Sequence, residues 1–145
     1  MECTVRWMGN EGGMSFVGET GSGHMVTMDG APEAGGRNLA PRPMELLLAG
    51  AGGCTAFDVV MILKKGRHAI RGCDVTLDAD RAPEDPKVFT RIHFKFRVTG
   101  SKLKPEAVER AVQLSKEKYC SASIMLGKTA EITHEIEIVE AGTGQ

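Results

Sequence analysis

Residues 46–57 read Leu-Leu-Leu-Ala-Gly-Ala-Gly-Gly-Cys-Thr-Ala-Phe without a single charge, and this run constrains the fold more than any other part of the chain. The surrounding pattern predicts a helix over 44–65, apolar around nearly its whole circumference. Pro43 suits a first helical turn, and Lys64, Lys65, Arg67 and His68 place positive charge at the end where the helix dipole favours it. Gly66 is the expected terminator. The uncharged run is far shorter than the ~20 residues that span a bilayer, is broken by three glycines and ends at Asp58. It reads as a buried core helix that needs cover on every side, and a chain of 145 residues has little to spare. Flanking sheets supply part of the cover, and dimerisation supplies the rest.

The strands follow from alternation. Residues 3–7, 14–19 and 24–28 read as a meander joined by glycine turns. Residues 73–80 and 88–98 form a hairpin: Ile92, Phe94, Phe96 and Val98 point one way, and Arg91, His93, Lys95 and Arg97 the other. A second helix opens at Pro105 and runs to about Tyr119, with Val108, Ala111, Val112, Leu114 and Ser115 inward. A last strand over 131–139 carries Ile132, His134, Ile136 and Ile138 on one face. The long Gly/Pro/Asn-rich segment 30–42 is a loop of the kind that carries function or meets a partner chain. The order predicts an α+β fold with mostly antiparallel sheets around a buried central helix. Residues 1–140 form one domain, and 141–145 a disordered tail.

Charge excludes some functions. Eighteen Lys and Arg against 19 Asp and Glu leave a formal net charge of −1, so no nucleic-acid or membrane-surface partner is expected. The first residues show neither a basic nor an apolar signal region, and a cytoplasmic location follows. There the four cysteines, Cys3, Cys54, Cys73 and Cys120, stay reduced. No pair has zinc-knuckle or thioredoxin spacing, and no histidine pair has helical metal-ligand spacing, so no metal and no cofactor are expected. The cysteines matter as thiols or not at all.

Cys54 has Gly50 at i−4 and Ala51 at i−3, which opens a gap over the thiol. Three glycines in four positions cost a helix about 1 kcal/mol each, which calls for a close backbone neighbour or a ligand. A free cysteine inside a core also serves as mere filler, and pattern leaves both readings open. Cys120 lies at a helix end with Lys116 and Lys118 nearby, where a thiolate is favoured and movement is easy. Cys3 and Cys73 read as structural. Of the histidines, His24 after its glycine turn is the one to watch, and His134 reads as a hydrogen-bonded core residue.

Pro43, Leu46, Ala49 and Gly50 ahead of Cys54, with Ser115, Lys118, Tyr119, Cys120 and Ser121 later, resemble the two cysteine motifs of the OsmC/Ohr family, in its YhfA-type branch. The resemblance covers nearly the whole chain. It implies an intertwined homodimer with sites at the subunit interface. It further implies that Cys54 attacks an organic hydroperoxide in stress defence, becomes a sulfenic acid and is resolved by Cys120 as a disulfide. A thiol or dithiol reductant then restores the pair. Met44, Leu48, Gly50, Ala51 and Phe57 are the implied pocket. The family pattern also pairs an activating Glu with an Arg. Met44 stands at the ungapped Glu position, with Glu45 next, so Glu45, Arg37 and Arg42 are the candidate activators. The alternative is a non-catalytic member that binds a small apolar or acyl ligand at the dimer interface.

Overall fold

A computed structural model describes residues 1–142. The chain separates into two compact units, with the boundary between Ala49 and Gly50. In the first unit β1 (Cys3–Trp7), β2 (Phe16–Thr20) and β3 (Met25–Met28) form an antiparallel meander in that order. β2 begins later than expected because Met14 and Ser15 belong to the turn, where Met8 N–H donates to the Ser15 carbonyl at 3.0 Å.

The 30–42 loop is held by one carboxylate. Asp29, 1% exposed, accepts backbone N–H bonds from Gly30 (2.8 Å), Arg37 (3.1 Å) and Leu39 (3.1 Å). The Leu39 N–H leads in holding its pKa below the ordinary 3.8, against the opposing effect of burial, with help from Arg37, Gly30 and Ser15. A depressed carboxylate contributes stability that is present above its unfolded pKa and lost as pH falls through the folded one. Amide protection at Arg37 and Leu39 is therefore expected to be lost as pH falls below about 4. Asp29→Asn should show weak protection and no such acid step, as read by NMR hydrogen exchange.

The second unit contains β4 (Ala69–Arg81), β5 (Phe89–Ser101) and β6 (Glu131–Glu140). β4 and β5 pair antiparallel, as the alternation predicted. β6 pairs parallel to β5, with Ile92 opposite Ile132 and Phe96 opposite Ile136. The β5–β6 pair is parallel within an arrangement that is otherwise mostly antiparallel, as expected. Between β5 and β6 the chain passes through α2 (Pro105–Leu114), a π-helical turn (Ser115–Tyr119) and α3 (Ser121–Leu126). A crossover of that length returns the chain in the same direction. Ile92, Phe94, Phe96 and Val98 are buried. The opposite face carries ion pairs such as Arg91 with Asp78 and Asp80 at 2.9 and 2.6 Å, exposed contacts of little net worth. Ala141 donates to the Gly100 carbonyl at 2.8 Å, and the rest of the expected tail, 143–145, lies outside the described residues.

α1 spans Pro43–Lys65. Its buried positions are Ala51, Gly52, Thr55, Asp58, Val59 and Leu63, while Gly53, Phe57 and Lys64 are exposed. Within one chain the helix is thus covered on one side, not on nearly all sides as its composition suggested. Its 23 residues include a window of mean hydropathy 2.0, long and apolar enough by that measure to cross a membrane. A buried, hydrogen-bonded Asp58 on the packed side fits a core helix instead. The helix ends with Arg67, not glycine, in the left-handed conformation (φ 59°); His68 and Arg67 N–H groups return to the Leu63 and Lys64 carbonyls at 3.0 Å. Gly66 is small for another reason: a Cβ there would lie 2.8 Å from the His68 ring.

Candidate functional site

On α1, residues 51, 54, 55 and 58 follow helical spacing and so share one stripe. In this apolar helix that stripe holds Cys54, Thr55 and Asp58. All three meet the segment that joins α2 to α3. There the π-helical turn, closed by the Cys120 N–H donating to the Ser115 carbonyl at 2.8 Å, places Ser115 and Cys120 against the helix. Cys120 then leaves helical geometry (φ −76°, ψ 95°) and caps α3.

The sulfurs of Cys54 and Cys120 and a carboxylate oxygen of Asp58 all lie within 4.8 Å of one another. Both cysteines are free thiols; Cys120 is fully buried and Cys54 half-buried. The Asp58 Oδ2 accepts the Ser115 hydroxyl proton at 2.9 Å. The Thr55 hydroxyl lies 3.2 Å from the Cys120 Sγ, and the Ser123 N–H donates to that sulfur at 3.4 Å.

These contacts divide the two thiols. Burial pushes the Cys54 thiol up, against the Ala122 N–H, and neighbouring Cys120 and the Asp58 charge push the same way. Burial also opposes ionisation of Cys120. There, however, hydrogen bonds from the Ser123 side chain, Thr55, the Ser123 N–H and Cys54 outweigh it and draw the thiol below its ordinary value. Each hydroxyl has one hydrogen. Thr55 Oγ1 also donates to the Ala51 carbonyl at 3.0 Å, and Ser123 Oγ to the Cys120 carbonyl at 3.2 Å, so supporting a thiolate means turning those hydrogens toward sulfur. The Ser123 N–H is the fixed donor.

Of the other expected residues, Ala51 is buried on the stripe, Gly50 is exposed, and Phe57 is 66% exposed on the open side of α1. Met44 and Leu48 are half-buried. Within the first unit, the Arg37 guanidinium donates to the Glu11 carbonyl at 2.6 Å, and the Glu45 Oε2 accepts the Arg42 N–H at 2.9 Å, closing the first turn of α1. His24 is exposed, its Nδ1 3.1 Å from the Ser22 Oγ. His134 lies edge-on to Phe96, with Nε2 3.5 Å from the Glu109 carboxylate. Thr55 and Ser123 drew no functional reading from the sequence. The available signal was polarity in an apolar stripe: Ser115 follows Val108, Ala111 and Val112 at helical spacing, and Thr55 follows Ala51.

A cavity of about 10 Å³ lies between Thr55, Phe94, Phe96, Val112, Ser123 and His134. It holds a single water at most, so an alkyl or acyl group must approach the thiols from elsewhere.

The OsmC-like protein family model matches residues 35–135. The chain is 49% identical to Protein YhfA of Escherichia coli K12 over 97% of this chain and all of that one. A solved structural-genomics chain, 47% identical, superposes with a TM-score of 0.86 over 97% of this chain and 100% of that one. The organic hydroperoxide resistance protein OhrB of Bacillus subtilis shares the fold at 19% identity, with a TM-score of 0.60 over 94% of this chain and 96% of that one. Two cysteine motifs brought together by α1 and the α2–α3 segment, and a family match spanning both, lead to one conclusion: this chain belongs to the OsmC-like family.

Proposed function

We propose that the chain reduces organic hydroperoxides with the Cys54/Cys120 pair, in defence against oxidative stress. The observation that carries this reading is the approach of two free thiols to within 4.8 Å from separate elements. Disulfide closure to the ~2.05 Å S–S bond needs a local approach of under ~3 Å.

Access and acidity assign complementary roles. Cys54 is the sulfur that a substrate reaches, and Cys120 is the one better supported as thiolate. As Cys54 attacks, its proton passes to Cys120. The Cys54 sulfur takes the distal peroxide oxygen, the O–O bond breaks, and the alkoxide leaves as alcohol after taking a proton from solvent. The Cys120 thiol then attacks the sulfenic sulfur, expelling water and forming the disulfide. Two thiols of a small reductant, or one dithiol, reduce it. This chemistry suits the reducing cytoplasm. Family membership and the hydroperoxide-resistance name of OhrB support the reading. Arg37, Arg42 and Glu45 are not needed for the proton step described.

The test is to mix reduced protein with a small excess of cumene hydroperoxide. Two thiols per chain should disappear, and peptide mapping should find a Cys54–Cys120 bridge. Retention of both thiols would sink the proposal and leave ligand binding as the rival.

The open side of α1 supports assembly as a homodimer. Gly50 and Gly53 have nothing within 4 Å of an added Cβ. In an isolated chain Gly53→Ala should therefore stabilise the helix by about 1 kcal/mol. If a second copy packs there, the same methyl should weaken the dimer, visible as a shift toward monomer in sedimentation velocity.

A further inference from the structure

We propose that Cys54, Asp58 and Cys120 form a binding site for a thiophilic divalent cation of the zinc class, and that cation binding and disulfide formation exclude each other. The inference rests on the same cluster as the hydroperoxide reading but not on its chemistry. Spacing rules look for ligands that are neighbours in sequence. These three are not: two come from successive turns of α1, and the third from the cap of α3.

Their donor atoms, two sulfurs and a carboxylate oxygen, all lie within 4.8 Å of one another. Tetrahedral zinc takes Zn–S bonds of about 2.3 Å and Zn–O bonds of about 2.0–2.2 Å, which puts ligand atoms roughly 3.5–3.8 Å apart. The observed upper bound therefore leaves a contraction of at most about 1.3 Å per pair. Two sulfurs with one oxygen suit zinc better than calcium or magnesium, which take oxygen ligands.

Outer contacts are also in place. The Ser115 hydroxyl donates to the Asp58 Oδ2, 2.9 Å away, and so fixes that carboxylate's rotation. The Ser123 N–H at 3.4 Å and the Thr55 hydroxyl at 3.2 Å hold the Cys120 sulfur. Such partners orient metal ligands and tune their affinity. Asp58 and Cys120 are buried and Cys54 is half-buried, so the fourth position opens on the Cys54 side, where water or a small anion completes the shell.

Cation binding converts both thiols to metal-bound thiolates and releases their protons. A two-electron oxidant of the hydroperoxide or diazene class, itself reduced to alcohol and water or to the hydrazine, joins the sulfurs, removes both anionic ligands and frees the cation. A loaded site thereby protects the pair from oxidation, and an oxidised pair cannot load.

The test uses Co²⁺ as a spectroscopic probe and Zn²⁺ as competitor, on the full-length protein reduced and kept free of oxygen. One Co²⁺ per chain should bind, with a thiolate-to-cobalt charge-transfer band and tetrahedral d–d bands, and Zn²⁺ should displace it. Cys54→Ser and Cys120→Ser should each lose the band, whereas Cys3→Ser should keep it. Ser115→Ala, which leaves all three ligands, should weaken Zn²⁺ binding about tenfold. Diamide, which forms the disulfide without any peroxide, should release the metal stoichiometrically. Absence of the band, its survival in either Cys54→Ser or Cys120→Ser, or unchanged affinity in Asp58→Ala would overturn the proposal. Failure of the cumene hydroperoxide assay with the band intact would sink only the peroxide reading.

Discussion

Replacing Cys54 by Ser is expected to lower hydroperoxide turnover by at least about 10³-fold, the scale seen when an enzyme loses its nucleophile. Serine keeps the volume and the helix, so thermal unfolding should barely move. Cys120→Ser separates the two roles. The first turnover should still occur, though more slowly, because Cys54 remains the sulfur that substrate reaches while its proton must pass to solvent instead of Cys120. Its sulfenic acid then lacks a partner within reach and should accumulate, trapped by dimedone or carried on to sulfinic acid. Intact-mass spectrometry distinguishes the outcomes: a bridge in the wild type, an oxygen adduct in Cys120→Ser, and neither in Cys54→Ser. Equal turnover by Cys54→Ser and wild type would place the chemistry, if any, elsewhere.

The largest stability effect is expected at Phe96. It is 3% exposed on the buried face of β5, with its ring centroid 6.2 Å from that of Phe94 and the His134 ring edge-on at 6.4 Å. Phe96→Ala removes that packing and leaves a cavity beside the one already bordered by Thr55 and Ser123. Large-to-small changes of this kind cost about 3–5 kcal/mol, which for a chain of this size lowers Tm by about 10–15 °C. Because the same wall backs the Cys120 loop, modification of Cys120 by a neutral maleimide should also accelerate in this variant below its melting point. A Tm within about 2 °C of wild type would mean that the sheet face is not packed as described.

Much of this architecture was open to local reasoning. Alternation over Ile92, Phe94, Phe96 and Val98 placed β5 and its buried face, because period two leaves one register that hides every apolar side chain. Pro43 and the basic Lys64, Lys65, Arg67 and His68 bounded α1 closely. β6 was legible as a strand but not as a parallel partner, since its own residues carry no record of which way the chain returns. The α2 segment was legible to Leu114. The π-helical turn was not, because helical propensity does not distinguish an i−4 from an i−5 bond when the apolar stripe continues through Ser115.

The sequence by itself determined which thiols to watch, through two short motifs whose spacing carries the family, and it determined the elements that present them, through periodicity and capping. Only the tertiary structure decided that Cys54, Asp58 and Cys120 share one small volume, and that Thr55, Ser115 and Ser123 hydrogen-bond there. It also decided that Cys120 is the better-supported thiolate while Cys54 is the accessible thiol. The physical reason is range. Helix and strand patterns act over a few residues, whereas burial and hydrogen bonding at these sulfurs join Thr55 to Cys120 and Asp58 to Ser115, pairs separated by 65 and 57 positions.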